Sequence, residues 1–200
     1  MDTPQAISLL STFNTKVNKL QNLSFFKDFP TTGVDFSWTK GETPDKDVTI
    51  VTRHGISEES IDAFVLTLRL LVQPRDQLSI VQIADLYVQL PVSVAAKEAA
   101  QVIKKQYEDF MGRSANIRVA GTDLTNKQLF DTFTYGDLAH VNKDKVELYE
   151  KIAGFDVGRA FLLDDYIEIL AAIHRIATRL RSLNEQTIAS LQISPTKPTI

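Results

Sequence analysis

The chain has 200 residues, with 22 Lys+Arg against 25 Asp+Glu, 44% hydrophobic and 24% charged residues, and no cysteine. This is the composition of an ordinary soluble globular chain, which excludes whole-length disorder, collagen-like sequence and low complexity. The missing cysteines remove disulfide frameworks, thiol nucleophiles and thiolate zinc sites, and a net charge of −3 lacks the basic excess by which proteins neutralise phosphates.

The N-terminus, Met1-Asp2-Thr3-Pro4-Gln5, has no basic stretch leading into an apolar core, so no secretory signal is expected. The most apolar window, Ala63 to Val72, is interrupted by Thr67 and Arg69 and is too short to span a bilayer. A cytoplasmic location and no membrane partner are the expectations.

Thr3-Pro4 reads as a helix start, with threonine as the cap and proline in the first turn. Ile7, Leu10, Phe13, Val17 and Leu20 then form one apolar stripe at helical spacing. Phe25, Phe26 and Phe29 are expected anchors in an irregular stretch before Pro30. Val34, Phe36 and Trp38 alternate with polar residues, and Val48, Ile50 and Val51 follow a polar loop, so a β-hairpin is predicted near residues 34–52. Two strands alone are marginal in water, so the hairpin is expected to lie against helices or to find a third strand, for which Ile117-Arg118-Val119 is the candidate.

Ser57, with Ile56 and Ile61 as a hydrophobic staple, predicts a helix from Glu58 to about Val72 that stops before Pro74. Ser79 is expected to cap a short helix through Tyr87 and Leu90. Ser93 is expected to cap another, with Ala99, Val102, Ile103, Tyr107 and Phe110 inward and Gly112 just past its end. Thr125 should cap a helix holding Leu129, Phe130 and Phe133, with Gly136 interrupting it, and a further helix is expected from about Asp144 to Ala153. The longest helix should run from Gly158 to Ile188. Together these predict a mainly α fold, a single-domain bundle of roughly six or seven helices with a small hairpin over residues 1–193 and a flexible tail over 194–200.

In the long helix, Leu162, Tyr166, Ile169, Ile173, Ile176, Leu180 and Leu183 alternate spacings of four and three. Leu163, Ile167, Leu170 and Ala177 widen the stripe, which suits a core helix better than a dimer seam. A protein partner or self-association through residues 158–188 is the alternative carried forward. His174 flanks this stripe and is expected to be a packed structural histidine. Asp164 and Glu168 share a face, but acids early and Arg175 and Arg179 late also complement the helix dipole. No metal site and no cofactor are assigned.

The densest polar punctuation is Tyr135-Gly136-Asp137-Leu138-Ala139-His140-Val141-Asn142. Histidine suits proton transfer near neutral pH, Asp137 can orient the imidazole of His140 if the turn is helical, and Tyr135 offers a hydroxyl. The same string also reads as a helix break in which His140 and Asn142 satisfy loose backbone groups. The arginine–histidine pairing of the HEPN ribonucleases has no counterpart there, because no arginine lies between Arg118 and Arg159.

Arg53 and His54, after the second strand and before a helix start, form a candidate anion site, although Glu58 and Glu59 stand where the anion would go. Lys104, Lys105, Arg113 and Arg118 make the best basic patch, with Tyr107 and Phe110 better explained as core; nucleic acid is therefore not the favoured partner. No P-loop, dinucleotide fingerprint, nucleophile elbow or zinc-protease helix is present. The leading expectation is a protein-interaction or regulatory module. The rival is a metal-independent nuclease or other acid–base enzyme centred on His140 with Asp137 and Tyr135.

Overall fold

The computed structural model of the protein describes residues 1–21, 36–37, 51–52, 58–73, 78–119, 122–132 and 157–193. The fold is mainly α. In chain order come α1 (Thr3–Gln21), β1 (Phe36–Ser37), β2 (Val51–Thr52), α2 (Glu58–Val72) and α3 (Ile80–Leu86), which runs into a 3₁₀ turn (Tyr87–Gln89). They are followed by α4 (Val94–Gly112), β3 (Ser114–Val119), β4 (Thr122–Thr125), α5 (Asn126–Thr132) and α6 (Val157–Ile193). Among the described residues no helix is long and apolar enough to cross a membrane.

The residues group into two compact units, one of Met1–Asn22, Leu66–Asp109 and Ile173–Ile200, the other of Leu23–Val65 and Phe110–Ala172. In the first unit, α1 starts one residue earlier than the Thr3 cap implied. Asp2 is the cap: its Oδ1 accepts from the Gln5 amide at 2.8 Å and its carbonyl from the Ala6 amide at 3.1 Å. A carboxylate accepts more strongly than a hydroxyl and suits the positive end of the helix dipole. The predicted α1 stripe is buried at Leu10, Phe13, Val17 and Leu20, joined by Ala6.

Ser79 and Gln82 form a complete capping box at the start of α3, with Gln82 amide to Ser79 Oγ at 3.4 Å and Ser79 amide to Gln82 Oε1 at 2.9 Å. Ser93 caps α4 by accepting from the Ala96 amide at 3.1 Å. The inward face of α4 differs from the sequence expectation. Ala100, Ile103, Tyr107 and Met111 are buried, whereas Val102 is 56% exposed. At about 100° per residue Val102 falls on the far side of that stripe, so its apolar character misleads. Gly112 is the last residue of α4 rather than the one after it.

In the second unit, β1 pairs antiparallel with β2, Phe36 opposite Thr52 and Ser37 opposite Val51. The strand at Ile117–Val119 exists but does not extend that hairpin. It belongs to β3, which pairs antiparallel with β4 in a second two-stranded sheet, Arg118 opposite Asp123 and Val119 opposite Thr122. Local pairing across two intervening residues closes a far shorter loop than pairing with residues 36–52 would. Asn126 fastens this hairpin to the end of α4: its amide donates to the Arg113 carbonyl at 2.9 Å and its Nδ2 to the Phe110 carbonyl at 2.8 Å. Thr125 caps α5 as predicted, in a reciprocal box with Gln128 at 3.0 and 3.1 Å.

Helix α6 has 37 residues, a length of about 55 Å, and runs past the predicted end at Ile188. Leu191 is 5% exposed, so a further buried anchor holds its last turns. Ser57 with its staple partner Ile56, the phenylalanines before Pro30, Phe133, Gly136, the helix expected at 144–153 and the tail 194–200 lie outside the described residues.

Candidate functional site

His140, Asp137 and Tyr135, the candidate acid–base group, lie outside the described residues, as do Arg53 and His54 of the candidate anion site. Asp164 is within α6, and Glu168 is exposed on it. Among the described residues no group of three His, Asp or Glu side chains is placed to hold a metal ion.

From Ile169 to Leu180 the apolar stripe of α6 is covered by the chain itself. Ile169 is 4% exposed, Ile176 5%, and Leu170, Ile173, Ala177 and Leu180 are fully buried. Beyond Leu180 the buried line does not pass through Leu183, as the sequence suggested, but through Asn184, Thr187 and Leu191. These residues continue the four–three spacing with two polar side chains in place of apolar ones.

That substitution builds a buried polar chain across three elements. The Tyr87 hydroxyl donates to Asn184 Oδ1 at 2.7 Å, and Thr187 Oγ1 lies 3.0 Å from the same phenolic oxygen. Asn184 Nδ2 donates to Asn14 Oδ1 at 3.0 Å, and Asn14 Nδ2 to the Arg181 carbonyl at 3.4 Å. A phenol has one proton. With Tyr87 giving it to Asn184, Thr187 is the donor in its own contact with Tyr87, and every hydroxyl and amide in the chain has a role. Burial pushes the Tyr87 phenol up to about 12, with the Thr187 hydrogen bond pulling the other way, so Tyr87 stays a neutral donor at any physiological pH.

Two turns of helix beside this chain leave a groove. Side chains from residues 92–99, around the start of α4, and from residues 183–190, on α6, flank an open space of about 350 Å³, and among the described residues no charged side chain lines it. Thr187 belongs to both features, since it lines the groove and bonds Tyr87.

His174 is packed, as expected, at 8% exposure, with Nε2 3.3 Å from Thr178 Oγ1. Burial lowers its pKa to about 4, and the positive charges of Arg181 and Arg175 add to the effect. It is neutral near pH 7. In the candidate basic patch one lysine is already paired and the aromatic ring is core, as its spacing implied. Lys104 is paired with Asp85 at 2.7 Å and has Glu108 at 3.8 Å, while Tyr107 is 5% exposed and offers no stacking face.

The polar chain was not anticipated from the sequence, yet a signal was there. Asn184 and Thr187 occupy the spacing of an apolar stripe, and Asn14 adjoins Phe13 on a helix whose neighbours are core. Comparison with protein-family models, curated proteins and solved structures yields no match for this chain.

Proposed function

We propose that the chain is a protein-interaction module whose contact surface is the outer face of α2. The observation that carries this reading is the exposure of Leu66 and Leu70, 63% and 52%, one helical turn apart. The opposite side of α2 is already occupied: Phe64, Leu68 and Leu71 are fully buried. Single exposed leucines are common on protein surfaces. Here, however, two exposed leucines stand at the i, i+4 anchor spacing on the side of α2 away from its buried face, the spacing at which an amphipathic partner helix is gripped. The long-helix stripe is less available for this purpose, because Ile173 and Leu180 are fully buried within the chain.

The partner expected is a helix with an apolar face. Tagged wild type and Leu66→Glu/Leu70→Glu protein recovered from the native host test the reading, with bound proteins and nucleic acids quantified in both. A stoichiometric protein present on the wild type and lost from the variant, with helicity by circular dichroism unchanged, is the expected result. A partner kept by the variant overturns the assigned surface. RNA with trimmed ends and no protein partner moves the assignment to an enzyme centred on His140, with Asp137 and Tyr135 assisting.

A further inference from the structure

The groove between the start of α4 and the end of α6 is distinct from the exposed leucines of α2 and has its own chemistry. Its volume, about 350 Å³, lies at the lower end of the range of small-molecule sites. Among the described residues no Lys, Arg, Asp or Glu lines it, so an ion entering it would lose hydration without a counter-charge from them. A wholly apolar ligand is disfavoured for the converse reason, since Ser93, Gln186 and Ser190 are among the lining residues.

The hydrogen-bonding capacity left over defines the complement. Ser93 Oγ already accepts from the Ala96 amide at 3.1 Å, which leaves its proton to donate. The Gln186 side chain, with no hydrogen bond to another described residue, carries a carbonyl and an NH₂ side by side. Such a group pairs best with a neutral molecule that has a donor and an acceptor on adjacent atoms. The wall behind is rigid, because Thr187 is 3% exposed and fixed by Tyr87 at 3.0 Å. Only this wall is pre-ordered; the exposed Gln186 side chain is fixed by the ligand it pairs with.

We propose that this groove binds a small uncharged molecule with a lactam or carboxamide edge, paired to the Gln186 amide, bonded by Ser93 and packed on Ala96 and Ala99. The full-length chain is titrated with 2-pyrrolidinone and, as charged controls of similar size, with acetate and guanidinium, followed by amide chemical shifts. Saturable shifts confined to Ser93, Ala96, Gln186, Thr187 and Ser190 are expected with the lactam alone. Gln186 is exposed, so Gln186→Leu leaves the fold intact, and it should weaken the lactam by about thirtyfold, the loss of the two neutral hydrogen bonds of that pairing. Ala96→Phe fills the groove and should abolish the shifts while helicity is kept. Unsaturable or scattered shifts, equal binding of acetate or guanidinium, or lactam affinity unchanged in Gln186→Leu each overturn the proposal.

Discussion

Removing one oxygen from the centre of the first unit tests the account of its polar chain. Tyr87→Phe keeps the ring, which is fully buried, and deletes the hydroxyl that donates to Asn184 at 2.7 Å and meets Thr187 at 3.0 Å. Two net hydrogen bonds at about 1 kcal/mol each are lost, and the Asn184 carbonyl is left without its donor at a cost of about 1–3 kcal/mol. Removing the buried hydroxyl returns part of that, since its own desolvation is no longer required. The expected loss is about 2–4 kcal/mol. Asn184→Leu alone should cost a similar amount, because it strands the Tyr87 proton and the Asn14 carbonyl, which accepts at 3.0 Å. The double variant should be more stable than the sum of the two by about 1–2 kcal/mol, because neither group is then left facing a missing partner. Urea unfolding followed by far-ultraviolet circular dichroism measures all four proteins. A loss below about 0.5 kcal/mol for Tyr87→Phe, or strict additivity in the double variant, would show that the chain does not depend on this hydroxyl.

Further outcomes follow from particular residues. His174 has a folded pKa near 4 against 6.5 for the free side chain, so the unfolded state takes up a proton first. Its contribution is complete above pH 6.5 and is lost as pH falls towards 4, about 3 kcal/mol in all; His174→Gln should flatten that part of the melting-temperature profile, and a parallel profile would refute the assignment. Ile173→Glu and Leu180→Glu place a carboxylate at fully buried positions and should each unfold the chain, with a loss above about 4 kcal/mol. A folded monomer replacing a dimer in light scattering would show instead that these positions form a seam. A Cβ on Gly112 meets nothing within 4 Å and the backbone there lies outside the left-handed region; Gly112→Ala should therefore stabilise by about 0.4–1 kcal/mol in the same urea assay, and a destabilisation would mean that the helix end needs glycine.

The helices among the described residues were legible because their signals are local. The capping boxes at Ser79–Gln82 and Thr125–Gln128 lie within four residues, and the stripes of α1 and α2 repeat every three or four. What failed were inferences that needed another element. The partner of the Ile117–Val119 strand is decided by competition between strands, and Val102 looks like a core residue until the axis of α4 is fixed by Ala100, Ile103, Tyr107 and Met111. The polar chain is the extreme case, since Asn14 and Asn184 are 170 positions apart and neither position shows by itself which residue it meets. The site proposed from sequence at His140 rests on a local string, and such a string does not reveal which groups converge on it in space.

Asn14 and Asn184 also bear on which structure the chain selects. Helices joined only by leucine, isoleucine and alanine can slide by one turn and still bury comparable apolar area. Here a slip of α6 against α1 would bring Leu180 or Ile188 towards Asn14 in place of Asn184, and neither can donate to its carbonyl. The same displacement would part Tyr87 from its acceptor at 2.7 Å. Each wrong alignment is thus penalised by stranded polar groups at positions where water is excluded. The interior of this unit therefore acts as an index mark, admitting one alignment of its longest helix and rejecting its neighbours by a turn in either direction.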